Sequence, residues 1–173
     1  MKALKMIGLM AMLCFIMPAF VSCDKDDDKE VTPRPSDVLG MWAGSLTAKV
    51  MNIDCEMPGI YEISIQKESE DKSKVKLVIP ETSFKYPGSD RVSTIPSFTI
   101  AGVDVKESAD GYAISKDNYS ETMNGVEYSG SIEGKITVGG AEISYTVKPG
   151  AMPMDISYTF KGYSYSSQIT KLK

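Results

Sequence analysis

The chain has 173 residues, 19 Lys+Arg against 23 Asp+Glu for a formal charge of −4, and no histidine. The length suits one ordinary domain. The lack of His excludes histidine general bases, Ser-His and Cys-His nucleophile pairs and His-ligated metals, and the acidic balance argues against a nucleic-acid partner.

Residues 1–22 carry Lys2 and Lys5 but no acid, followed by an apolar run from Met6 to Val21. That run is shorter than the roughly 20 residues a spanning helix needs, and its charged start and small-residue end describe a secretory signal peptide. Phe20-Val21-Ser22-Cys23 resembles the lipobox of bacterial lipoproteins, in which the cysteine is acylated. Ser22 fits that pattern, whereas Phe20 departs from its usual Leu. The resemblance implies a membrane partner reached through a lipid on Cys23.

Residues 23–36 read as a tether. The run Asp24-Lys25-Asp26-Asp27-Asp28-Lys29-Glu30 resembles the acidic export signal of Bacteroidetes surface lipoproteins, which implies an outer-membrane protein facing the cell exterior. As a calcium loop it lacks the alternate spacing and turn glycine of an EF-hand. Val31-Thr32-Pro33-Arg34-Pro35-Ser36 continues as a short stiff linker. Removal of residues 1–22 takes two lysines and leaves 17 basic against 23 acidic groups, a charge of −6. With Cys14 removed and Cys23 acylated, Cys55 has no partner for an intramolecular disulfide, so residues 37–173 must be held by their core.

That region alternates apolar and polar residues with period 2, the sign of half-buried strands. Trp42, Gly44, Leu46, Ala48 and Val50 share the first face; Tyr61, Ile63 and Ile65 the second; Val75, Leu77 and Ile79 the third. Phe98 and Ile100 open a fourth strand reaching Val105, and Tyr112 and Ile114 make a short fifth. Val126, Tyr128, Gly130 and Ile132 begin a long sixth, Ile143, Tyr145 and Val147 form a seventh, and Met154, Ile156, Tyr158 and Phe160 an eighth. Turn dipeptides separate them: Pro58-Gly59, Pro87-Gly88, Asp110-Gly111, Asn124-Gly125, Gly139-Gly140 and Pro149-Gly150. Gly130 and Gly134 inside a strand predict bulges or bends. The expectation is an all-β, antiparallel, eight-stranded up-and-down barrel, with a sandwich as the other solution.

Gly40-Met41-Trp42 resembles the Gly-x-Trp of lipocalins. Residues 38–163 resemble the calycin-like lipoprotein domain of Bacteroidetes, through Trp42-Ala43-Gly44-Ser45-Leu46, Phe98-Thr99-Ile100-Ala101-Gly102-Val103, Tyr128-Ser129-Gly130-Ser131-Ile132-Glu133-Gly134 and Lys148-Pro149-Gly150-Ala151-Met152-Pro153-Met154. The resemblance implies a lipocalin-like barrel and no particular activity.

The sequence offers little for catalysis, with no Gly-x-Ser-x-Gly elbow, phosphate loop or Cys-x-x-Cys. Cys55 lies between Asp54 and Glu56, whose charges raise a thiol pKa, so it reads as inert. Asp54 and Glu56 are a weak candidate for paired-carboxylate chemistry. The expectation is no catalytic residue, no cofactor and no metal site. Trp42, Leu46, Tyr61, Ile63, Phe98, Tyr128, Tyr145 and Tyr158 are the candidate interior and ligand-pocket residues. Tyr163 and Tyr165 read as a last strand or an exposed aromatic edge. The favoured function is non-enzymatic binding of a small hydrophobic ligand. The alternative is a filled barrel that adheres to a host or envelope protein or glycan, or serves as an inhibitor-type accessory.

Overall fold

The computed structural model describes residues 38–68 and 73–165. The signal peptide, Cys23, the acidic run at Asp24, Lys25, Asp26, Asp27 and Asp28, and the linker lie outside the described residues. The described residues share one core, as a domain that folds by itself requires.

Eleven strands follow in order: β1 (Gly40–Val50), β2 (Ile53–Cys55), β3 (Tyr61–Lys67), β4 (Lys74–Ile79), β5 (Thr82–Lys85), β6 (Val92–Ile95), β7 (Phe98–Ser108), β8 (Gly111–Met123), β9 (Val126–Thr137), β10 (Gly140–Pro149) and β11 (Ile156–Ser164). β1, β3, β4, β7, β8, β9, β10 and β11 pair antiparallel with their chain neighbours. β11 then closes on β1, from Trp42 opposite Ser164 to Val50 opposite Ile156. The eight expected strands are therefore the eight staves of a closed barrel, which removes sheet edges.

The meander fixes the two ends. The connections 51–60, 80–97, 124–125 and 150–155 lie at one end, called here the mouth. The start of β1 and the connections 109–110 and 138–139 lie at the other, the floor. At the floor, Trp42 is buried and its Nε1 donates to the Val38 carbonyl at 3.1 Å. At the mouth, β2 extends the edge of β1, and β5 and β6 form a separate two-stranded flap.

The turns divide into two kinds. Asn124 and Gly125 both have positive φ, 53° and 77°, which makes a two-residue turn matched to the twist of β8 and β9. The glycine pair at 139–140 is offset by one from expectation: the loop is Val138-Gly139, and Gly140 opens β10. Asp110-Gly111 shifts likewise, with Gly111 inside β8.

One register shift falls at Gly130, where β8 carries an extra residue between Lys116 and Tyr119 against Ile132 and Gly130 of β9; a second lies between β4 and β7 at Val75/Leu77. Gly130 has another purpose. A Cβ there would run into the Thr146 carbonyl oxygen and crowd the Tyr119 hydroxyl. Its bare backbone leaves space for the Tyr119 side chain, whose hydroxyl donates to that carbonyl at 2.6 Å.

Candidate functional site

Inward-facing side chains fill the barrel. Ile63, Leu77, Ile79, Ile100, Val103, Ile143 and Phe160 are fully buried, and Trp42, Leu46, Ile114 and Ile132 nearly so. A ligand chamber would leave its lining exposed to water-sized molecules, and these side chains are not. Branched aliphatics in contact give the packing density expected of an ordinary core.

The eight candidate pocket residues all face inward but separate into two groups. Trp42 and Ile63 are cross-strand neighbours at the floor, and Leu46 sits midway, opposite Phe160. Tyr61, Phe98, Tyr128, Tyr145 and Tyr158 belong to the mouth half; Tyr61 is half-buried and the others are buried. In this conformation these residues fill the interior rather than line an open pocket.

The mouth half is an aromatic stack. The rings of Tyr145 and Tyr158 are nearly parallel, with centroids 4.8 Å apart. Phe98 meets Tyr145 edge-on at 6.5 Å and stacks on Tyr119 at 6.0 Å. These geometries favour aromatic pairs beyond their buried area. Burial strongly favours the neutral phenols: Tyr119 and Tyr145 are pushed well above the ordinary tyrosine value, and Tyr158 up to about 12.

The hydroxyls of that stack are unequally served. Tyr119 donates to Thr146, and Tyr158 accepts from the Thr82 hydroxyl at 3.3 Å. The Tyr145 hydroxyl is buried and has no hydrogen-bond partner among the described residues. Such an orphan costs about 1–3 kcal/mol relative to a satisfied group.

The flap covers this layer. Its own Thr82, Phe84 and Ile95 are buried. Its β5 strand meets Glu56 through two backbone hydrogen bonds, Glu56 N–H to Lys85 O at 3.0 Å and Lys85 N–H to Glu56 O at 3.2 Å. Sequence reading missed β2, β5 and β6, although Thr82, Phe84 and Ile95 carried the alternation in short form.

Cys55 is buried, with its thiol pushed up first by burial and then by the Asp54 charge, so it is poorly suited to act as a nucleophile. Burial, rather than the flanking acids, leads that shift. Asp54 points outward and pairs with Lys49 at 3.2 Å. No group of three or more His, Cys, Asp or Glu suited to a metal occurs among the described residues.

The outer wall is different chemistry. Ser115, Glu133, Ser144, Thr159 and Thr47 form one row across five strands. Lys135, Glu142 and Lys161 alternate in charge in the next row, with Lys161 bonded to Glu142 at 2.8 Å. A shallow groove of about 400 Å³ runs over Gly139, Gly140, Glu142, Lys161 and Tyr163. Tyr163 is 58% exposed, and Tyr165, 49% exposed, donates to Glu62. Both tyrosines thus form an exposed aromatic edge.

The comparisons agree with this architecture. Over residues 38–163 the sequence matches the family of the calycin-like beta-barrel domain. The crystal structure of a Bacteroides fragilis protein named "putative outer membrane protein" is similar, with a TM-score of 0.61 and 25% identity over 75% of this chain. The match spans 52% of that protein, so the chain corresponds to about half of its length. No curated protein matches the chain. With a closed eight-stranded antiparallel barrel and a family match over most of its length, the chain belongs to the calycin-like β-barrel domain family.

Proposed function

We propose that the protein is a lipid-anchored, non-enzymatic binding module of the outer membrane, facing outward and meeting a host or envelope macromolecule through the outside of its barrel. The observation that carries this reading is the filled interior, which leaves the outer surface as the place to bind. The outer-membrane name of the Bacteroides fragilis relative supports the location. The lipobox-like Cys23 and the acidic run support the anchor and its orientation. Stable anchoring would take two or three acyl chains on that cysteine, since one binds only marginally.

The groove beside Tyr163 suits a hydroxyl-rich partner such as a glycan. An exposed ring offers an apolar platform, and the paired Lys161 and Glu142 offer a donor and an acceptor beside it. Native mass spectrometry of Thr32–Lys173, purified from its own cells, tests the central observation. The expected result is the bare polypeptide mass; a stoichiometric hydrophobic passenger would contradict it. For the anchor, Cys23→Ser should move the protein out of the membrane fraction, and retention there would refute it.

A second reading, small-ligand binding, is favoured by one observation: the buried Tyr145 hydroxyl, which has no partner among the described residues.

A further inference from the structure

We infer that the outer rim of the mouth, from the β8–β9 turn across to the β1–β2 turn, is a docking surface for a cationic amphipathic peptide segment of a partner. The rim lies at the opposite end of the barrel from the groove beside Tyr163 and owes nothing to the filled interior.

The first observation is apolar exposure. Six large apolar side chains stand exposed at the mouth: Met51, Ile53, Ile60, Val92, Val126 and Met152. Four of them follow one another along adjacent strand ends. Met123 faces Val126 across the β8–β9 turn, Val126 lies against Gly150, Met152 sits in the connection into β11, and Val50 faces both Ile156 of β11 and Ile53 of β2. Apart from Met41, every methionine of the described barrel is at this end, with Met57, Met123 and Met154 half-buried against the core. Methionine is unbranched and polarizable, which suits a surface that must mould itself to a peptide.

The second observation is backbone strain. Met51 and Asn52 make the two-residue turn between β1 and β2 with φ of 52° and 63°. That left-handed turn favours Asn-Gly, as at Asn124-Gly125, because a Cβ crowds the backbone there. Methionine at its first position is a poor choice for reversing the chain, yet it holds a side chain that is 69% exposed. A strained residue kept in place points to a purpose beyond the turn.

The third observation is charge, and it selects the partner. Residues 48–57, 120–128 and 148–156 carry Asp54, Glu56, Glu121, Glu127 and Asp155 against Lys49 and Lys148, a net of −3. Lys49 is itself paired with Asp54 at 3.2 Å. Apolar side chains set among carboxylates complement a segment with one apolar face and one basic face. The same negative charge opposes an anionic bilayer.

The test titrates Thr32–Lys173 with a labelled 14-residue peptide of leucine and lysine, leucines on one helical face, and follows fluorescence anisotropy. Two control peptides replace every lysine by glutamate or every leucine by serine. The Lys/Leu peptide should bind at least tenfold more tightly than either control, and added salt should weaken it. Met51→Gly should weaken that binding several-fold while raising the urea midpoint, because the glycine relieves the turn. Asp155→Asn with Glu127→Gln should weaken it and flatten its salt dependence. The inference is overturned if the Lys/Leu peptide does not bind, if the controls bind as well, or if Met51→Gly leaves binding unchanged. Phosphatidylcholine and phosphatidylglycerol vesicles supply the last arm. Neither should bind; vesicle binding lost in Met51→Gly would overturn the peptide assignment in favour of a lipid surface.

Discussion

The floor and mouth halves of this barrel solve the same packing problem with different residues. The floor is closed chiefly by Trp42, Ile63, Ile65, Val75 and Val103 together with the buried Tyr112, and the Trp42 Nε1 is bonded to Val38. The mouth is closed by Phe98, Tyr119, Tyr145 and Tyr158, whose hydroxyls must each find a partner inside a nearly dry space. Two of the three do. The aliphatic side chains that dominate the floor make no such demand. A phenolic layer is complete only when its hydrogen bonds are, and here one is left over. The difference leaves the mouth with one hydroxyl that is buried and, among the described residues, without a hydrogen-bond partner.

Mutations can break this contrast. The largest effect is expected at the barrel core. Leu77→Ala removes a fully buried side chain and should lower unfolding free energy by about 3 kcal/mol in urea titration. Phe84→Ala, on the flap, should cost about 1 kcal/mol, because the loss is capped by the free energy of docking the flap. It should also abolish hydrogen-exchange protection in residues 82–95 and leave β9 and β10 protected. Equal losses for the two variants would make the flap part of the cooperative core.

Next comes Gly130→Ala, expected to cost about 2 kcal/mol, since the new methyl meets the Thr146 carbonyl rather than a yielding side chain. Alkaline pH follows. The folded pKa of Tyr158 is raised to about 12, above the unfolded value near 10, so the neutral phenol favours folding. Its contribution is fully present below pH 10 and is lost as pH rises from there through the folded value. At pH 11 this one residue should remove on the order of 1 kcal/mol, with Tyr119 and Tyr145 adding to the loss. Urea midpoints at pH 9 and 11 would show it. The smallest effect belongs to the outer wall: Glu142→Gln, which breaks an exposed pair with Lys161, should change stability by less than about 0.5 kcal/mol.

The eight staves were legible because each buries one face, and a period of 2 survives wherever that holds. The fifth read as short because the register shift between Lys116 and Tyr119 breaks the alternation, which resumes on the other side. β5 and β6 hold four residues each, too few for a period to stand out from the surrounding turns. That hairpin was missed, since the short alternation of Thr82 and Phe84 does not stand out from the turns around it. Tyr61, Tyr128, Tyr145 and Tyr158 were legible as inward-facing. Which hydroxyl would lack a partner was not, because it depends on where Thr82 and Thr146 fall, 63 positions before Tyr145 and one after it. The outward character of Tyr163 was half-legible from its alternation with serines, and the groove beside it needed the fold.

The central claim is that the mouth is an incompletely satisfied layer over a finished floor. The most direct test compares two deletions of a single oxygen, Tyr145→Phe and Tyr119→Phe, by urea denaturation of Thr32–Lys173 at neutral pH. Tyr119→Phe removes a made bond and should destabilise by about 1 kcal/mol. Tyr145→Phe removes an unmade one and should stabilise by about 1 kcal/mol. Losses of similar size from both variants would show that the Tyr145 hydroxyl is already satisfied and would contradict the account.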